Sequence, residues 1–349
     1  MTSFGFQMQA TAPKRRSPWK AIAFFALFLA LVGFGLQSFF GGPPDFEPNT
    51  QKSAITVTVE SGATLSAIGR TLKDAGVVAS VDAFIQASEA NPDSRYISPG
   101  DYKLPTHIPA ATAIRLMLSP ESRDEIKIVI PEGSRATEIA TIIADRLGAE
   151  VKSVQQAMRE ADLPPSANGN PEGYLFPATY SVQRSSTAAE VIERMVARYR
   201  QAAIELELER RARALQLSVA DVVTIASLLE GEAAPTDYGK VARVVYNRLE
   251  QGMPLQFDST VNYGLGIDVL QLSSAQLQKD GPYNTYTRTG LPPTPINSPG
   301  EAAIEAALSP ARGEWLYFVA TDPKRKITEF AVTYDEFLRL KAKFKRSLS

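Results

Sequence analysis

Two carboxylates close an apolar run. The stretch Ser218-Val-Ala-Asp-Val-Val-Thr-Ile-Ala-Ser-Leu-Leu leads into Glu230-Gly-Glu232, and its spacing predicts a helix on which Glu230 shares a face with Ala226 and Val223. A carboxyl group leaving an apolar face is desolvated, which penalises its charged form. Its proton is then retained towards neutral pH, where it can pass to a departing oxygen. Glu232 points elsewhere if the helix continues. The same residues also suit a solvated helix end, since glycine commonly follows one.

Other candidate groups lie downstream. A second helical pattern runs from Gly239 to Glu250 and stops at Gly252, and residues 253–264 read as a loop bearing Gln256, Asp258, Thr260 and Asn262. Residues 282–300 are proline-rich, and so long an irregular segment in a compact domain points to function. Prolines hold it extended while Tyr283, Asn284, Thr285, Tyr286 and Asn297 offer stacking faces and hydrogen-bonding groups. Ser298, Pro299 and Glu301 predict the N-cap, first and third positions of a helix. Residues 314–320 and 327–332 predict a hairpin around Asp322-Pro-Lys-Arg.

The elements that must carry these groups begin earlier. Ile55, Val57 and Val59 alternate as a strand, Ser61-Gly62 turn, Leu65, Ile68 and Leu72 mark a helix face, a second amphipathic run follows at 81–85, and residues 97–104 close the unit. The pattern recurs: a strand at 126–130, a turn at Glu132-Gly133, a helix face at Ile139, Ile142 and Ile143, and a closing segment at 172–177. Gly62 and Gly133 are offset by 71 residues and Tyr102 and Tyr174 by 72, which predicts a duplicated βααβ unit. The aromatics of 172–180 suit either sugar stacking or a core. Residues 187–217 read as a long helical stretch with a solvated charged face.

Composition narrows the chemistry. The 349 residues are 44% hydrophobic and 21% charged, ordinary for globular domains. With no cysteine and a single histidine, His107, thiolate chemistry, disulfides and His-rich metal sites are excluded; no metal and no cofactor is expected. His107, between prolines in Pro-Thr-His-Ile-Pro, reads as structural. Residues 21–40 hold no charge and follow Lys14, Arg15, Arg16 and Lys20. They predict a transmembrane anchor spanning a lipid bilayer, with a basic tail at 1–20 in the cytoplasm and the rest outside. Residues 41–53 read as a semi-stiff linker. Without those four positive charges the net of −1 becomes −5, so no nucleic acid is expected as a partner.

Several motifs in one order point to a family. Ala226-Ser-Leu-Leu-Glu-Gly-Glu232, Val245-Tyr-Asn-Arg-Leu249, Gly252-Met-Pro-Leu-Gln-Phe-Asp-Ser-Thr-Val-Asn-Tyr-Gly264, Tyr283-Asn-Thr-Tyr286, the segment from Gly290 to Gly300 and Leu316-Tyr-Phe-Val319 resemble the YceG-like endolytic murein transglycosylase family. The resemblance implies an α+β chain: the anchor at 21–40, a LysM-like βααβ subdomain at 54–120 and a mixed α+β catalytic domain at 125–345. It implies an inner-membrane enzyme that cuts peptidoglycan glycan strands internally and leaves 1,6-anhydro-N-acetylmuramic acid ends, working beside peptidoglycan synthases or other cell-wall machinery. Its catalytic glutamate falls on Glu230. Glu232, Asn247, Gln256, Asp258, Thr260, Tyr283, Asn284, Thr285, Tyr286 and Asn297 are the expected substrate-binding residues. Two positions depart from the pattern: Glu329 stands before Phe330 where a histidine is common, and Phe257-Asp-Ser-Thr260 replaces Ser-Asp-Pro-Thr. Two rival expectations are a muramidase using Asp258 as its second carboxylate and a peptidoglycan-binding scaffold without catalysis.

Overall fold

The computed structural model describes residues 42–48, 52–322, 325 and 327–347. The expected anchor at 21–40 lies outside them. The chain divides into two units, Met1–Asp124 and Glu125–Ser349.

In the first unit, β1 (Ala54–Val59) pairs antiparallel with β2 (Gly100–Pro105), Val57 opposite Tyr102. Between them lie α1 (Leu65–Asp74) and α2 (Val81–Ala90). Thr64 and Ser80 start these helices by accepting the Ala67 and Ala83 N–H groups. Ile68, Leu72, Phe84 and Tyr102 fill the core, closed by α3 (Ala110–Met117). Part of the expected linker packs here: the Asp45 carboxylate accepts the Ala110 N–H at 3.1 Å, capping α3 where Pro109 cannot. His107 packs tilted against Phe46, ring centroids 4.7 Å apart.

The second unit opens with the same order: β3 (Glu125–Val129), α4 (Ala136–Leu147), α5 (Val151–Glu160) and β4 (Thr179–Gln183), antiparallel with Ile128 opposite Tyr180. The turn glycines correspond, Gly62 at φ 77° and Gly133 at φ 75°. The closing strand, however, is 179–183 and not 172–177, so Tyr180, not Tyr174, is the counterpart of Tyr102. Both hydroxyls donate four residues back, to Phe176 and Ser98 carbonyls, each at 2.6 Å. Residues 172–177 turn instead, with Gly173 at φ 87°, where a side chain would collide with Pro295. Tyr174, Phe176 and Tyr180 are buried. They are core residues, and no face is left for a sugar.

The charged stretch breaks into α6 (Ala188–Glu205) and α7 (Leu208–Ala214) at Glu207, φ 50°. The unit has two cores, one among β3, α4, α5, β4 and α6 and the larger around α8 (Val219–Glu232), whose residues 222–229 are all buried. Ser218 and Asp221 cap it reciprocally. After it come α9 (Tyr238–Glu250), α10 (Asp258–Leu265), α11 (Ser274–Gln278) and α12 (Glu301–Leu308). The chain ends in a hairpin, β5 (Tyr317–Asp322) with β6 (Ile327–Ala331), and α13 (Tyr334–Ser347). Two local expectations change. The presumed loop 253–264 becomes helical at Asp258, and α12 starts after Gly300, so Ser298 is not its N-cap.

Candidate active site

Glu230 lies in the last turn of α8, half-buried after eight buried residues. A helix C-terminus is the unfavourable end for a negative charge, and two donors from elsewhere meet it. The Tyr238 hydroxyl, at the start of α9, donates to Oε1 at 2.7 Å. The Gly300 N–H donates to Oε2 at 3.1 Å. Gly300 is the N-cap residue of α12, so the carboxyl sits between the end of one helix and the beginning of another. Burial pushes the Tyr238 hydroxyl well above the usual tyrosine range, helped by its bond to Glu230 and the charges of Glu230 and Glu132. It stays a donor.

The proline-rich segment reaches Glu230 because it is fixed to α8. Ile296 N–H donates to the Ser227 hydroxyl at 3.1 Å and the Asn297 amide to the Ser227 carbonyl at 2.9 Å. Ser298 then pairs with the turn after β3: Gly133 N–H donates to the Ser298 carbonyl and Ser298 N–H to the Ser134 carbonyl, both at 2.9 Å. These bonds hold residues 298–300 extended, which is why the helix cannot begin at Ser298. Asn297, buried, is a clamp in this arrangement.

A second cluster adjoins through Glu232. Its carboxylate accepts the Ser259 N–H at 3.1 Å and the Ser259 hydroxyl, so it caps α10. Desolvation pushes this carboxyl up to about 7 against those bonds, with the Asp258 charge adding to the rise. Asp258 in turn accepts the Tyr286 hydroxyl at 2.6 Å. Glu232, Asp258 and Tyr286, all half-buried, are thus one hydrogen-bonded and electrostatic group.

The remaining expected residues divide by what holds them. Gln256, exposed, donates its N–H to the Thr285 carbonyl at 2.9 Å. Thr285 and Thr260 are buried and share a hydroxyl contact at 2.9 Å, while Phe257 N–H donates to Thr285 Oγ1. They stitch the 253–260 and 282–286 segments together. Asn284 is buried, giving its amide to the Leu277 and Lys279 carbonyls and accepting from Tyr286 N–H. Tyr283 bonds Thr294 and packs edge-on to Tyr263. Asn247 lies on another face of α9 and donates to the Gly313 and Trp315 carbonyls, apart from the Glu230 group.

Spacing did not mark Tyr238, Gly300 or Glu132 for chemistry. Tyr238 follows Glu230 across a break, and the other two are distant in sequence; Glu132 was legible only as a turn residue. Glu132 is the other carboxyl whose charge acts beside Glu230.

With the geometry described, relatives can be compared. The sequence profile described as the YceG-like family matches residues 57–343. The chain belongs to the YceG-like family. The match includes every candidate residue above and, apart from the first three residues of β1, both βααβ units. Among its relatives is the endolytic murein transglycosylase of Bacillus subtilis strain 168, 31% identical over 84% of this chain and 85% of that protein. The protein of the same name from Streptococcus pneumoniae D39 is 30% identical over 87% of this chain. Here the chain spans 61% of its relative's length. The crystal structure of a YceG-like protein from Listeria monocytogenes superimposes with a TM-score of 0.56 at 29% identity, over 83% of this chain and 99% of that one. The mixed α+β class expected from the sequence is the fold of the family.

Proposed function

We propose that this YceG-like chain is an endolytic murein transglycosylase, a lyase that cuts peptidoglycan glycan strands from within. The observation that carries this reading is the Glu230 carboxyl, held at one oxygen by Tyr238 and at the other by Gly300 at the accessible end of a buried helix. Support also comes from two relatives bearing that name, each matched over more than four-fifths of the chain.

The bond broken is the β-1,4 link between N-acetylmuramic acid and N-acetylglucosamine. Glu230 gives its proton to the bridging oxygen as the C1–O bond breaks. The muramic 6-hydroxyl then closes on C1, and the Glu230 carboxylate takes the hydroxyl proton, which restores the acid and leaves a 1,6-anhydro end. The nucleophile is already attached to the reacting ring, so its effective concentration is high and no water need be activated. The Tyr238 and Gly300 donors keep the carboxyl oriented through both transfers. In this reading Gln256, Asp258 and Tyr286, with Glu232 behind them, contact the flanking sugars. Glycosidases that use water pair two carboxylates about 5 Å apart or ~6.5–9.5 Å apart; Asp258 instead accepts from Tyr286.

In the same reading the first unit is a LysM-like module that holds the glycan. Residues 21–40 anchor the protein in the inner membrane with the N-terminus cytoplasmic and the catalytic unit outside, next to peptidoglycan synthases. Mass spectrometry of products from purified, uncrosslinked glycan strands tests the reaction. Anhydro ends within the strand population support it; reducing ends identify a hydrolase, and binding without products a scaffold.

A further inference from the structure

Arg248 lies in the last turn of α9 and is only 6% exposed. Its Nε donates to the Leu316 carbonyl at 2.7 Å, and its Nη1 to the Pro254 and Leu255 carbonyls at 3.0 and 2.8 Å and to Gln256 Oε1 at 3.4 Å. All four acceptors are neutral, and among the described residues no carboxylate forms an ion pair with it. Arg211, the half-buried arginine of α7, is held differently: Glu305 takes its Nη1 and Nη2 at 2.6 and 2.7 Å. A guanidinium keeps its charge, and a charge removed from water is ordinarily met by an opposite one. Burial pushes the Arg248 guanidinium below its usual range. The carbonyl bonds fix the 254–256 segment to the residue before β5, but they use only Nε and Nη1. Nη2 meets no acceptor among the described residues and is not sealed from solvent. Tyr286, whose hydroxyl bonds Asp258, is near enough to sense the Arg248 charge. Gln256 is exposed and holds φ 57°, a left-handed conformation that a side-chain-bearing residue keeps only where its surroundings impose it. Its Oε1 meets Arg248, and its Nε2 has no acceptor among the described residues. Two unengaged donors and a positive charge therefore stand together on groups already in contact.

We propose that Arg248 and Gln256 form a carboxylate site for the glycan strand, taking an acid carried by one of its N-acetylmuramic acid units. This rests on the reading of the substrate given above. Two donors around a guanidinium match a planar anion with two oxygens. Muramic acid brings that chemistry in two forms: the carboxyl of its lactyl ether, free where no peptide is attached, and the carboxylates of the peptide where one is. The nearby acids of the chain are engaged elsewhere, Asp258 with Tyr286 and Glu232 with Ser259. Those acids repel an anionic strand, and Arg248 supplies the opposite charge beside them. N-acetylglucosamine has no acid, so the site distinguishes the two sugars of the alternating strand and sets its register.

The test measures strand binding by the full-length Glu230→Gln protein, so that affinity is read without turnover. Three uncrosslinked preparations are compared: strands with peptides, strands stripped of peptides so that the lactyl carboxylates are free, and stripped strands amidated so that no carboxylate remains. At least one carboxylate-bearing preparation is expected to bind about 10- to 100-fold tighter than the amidated one, the range of a hydrogen bond to a charged group. Tighter binding of stripped strands assigns the lactyl acid, and tighter binding of peptide-bearing strands the peptide. Gln256→Glu, added to this protein, sets a carboxylate beside Arg248 and is expected to abolish the preference while the thermal midpoint stays at or above that of its parent. Gln216→Glu controls for the added charge: Gln216 is also exposed and left-handed, at φ 59°, ahead of the start of α8, and there the preference should survive. Equal affinity for all three preparations, or a preference that survives Gln256→Glu, overturns the site and leaves Arg248 as a clamp on carbonyls. No binding to any strand removes the substrate reading and the site with it, and cleavage by Glu230→Gln removes the reading of Glu230, so these failures are distinguishable.

Discussion

Glu172 gives the second unit a stability that depends on pH, and Glu172→Gln isolates it. The side chain is buried, with Oε1 accepting the Ala136 N–H at 2.9 Å and Oε2 the Tyr263 hydroxyl at 3.1 Å. Those bonds favour the carboxylate, yet desolvation outweighs them and pushes the group from 4.5 up to about 7. Between these values the native protein holds a proton that the unfolded chain has lost. Stability from this group is therefore complete below about pH 4.5, falls as pH rises, and is gone above about 7. At ~1.4 kcal/mol per pH unit the full step is on the order of 3 kcal/mol, of which ~2.5 kcal/mol lies between pH 5 and pH 8. Glutamine cannot ionise and lacks the step. Urea unfolding of both proteins at several pH values should show the variant gaining on wild type by that amount between pH 5 and pH 8. Comparing the two proteins cancels the similar contribution from Glu232. Stability curves that stay parallel within ~0.5 kcal/mol would show that the buried carboxyl does not titrate as described.

Two further variants probe the site and its support. Gly173→Ala places a Cβ 2.6 Å from Pro295 and 3.1 Å from Val223 at φ 87°, combining overlap with backbone strain; a loss of about 2–4 kcal/mol is expected as a lowered thermal midpoint. Tyr238→Phe removes one donor from Glu230 and leaves the ring in the core. A hydrogen bond to a charged group contributes about 1.5–3 kcal/mol, so single-turnover cleavage should slow by roughly 10- to 100-fold while strand binding is unchanged.

The sequence made the long-period features legible. Eight consecutive buried residues leading to Glu230 follow from an apolar run too continuous for a surface helix. The βααβ order in both units follows from alternation, turn glycines and helical spacing. The Tyr102–Tyr174 correspondence failed because the second unit carries extra chain between α5 and β4, and a tyrosine occurs by chance near the extrapolated position. Side-chain partners were less legible still. Asn247, Asn284 and Thr285 are suited to bonding sugar hydroxyls, and equally suited to the carbonyls, amide and hydroxyl they meet here. Gly300 and Glu132 reach Glu230 only through tertiary pairing at Ser298, which no local pattern encodes.

The most direct measurement is strand cleavage by Glu230→Gln, with its thermal midpoint compared to wild type. A glutamine can keep the Gly300 N–H at its single oxygen and give its amide N–H to the Tyr238 oxygen, but it has no carboxyl proton to give or take. The expected result is a folded protein whose cleavage falls by at least about 10³-fold. Cleavage near the wild-type rate by a folded Glu230→Gln protein would mean that another group carries the proton.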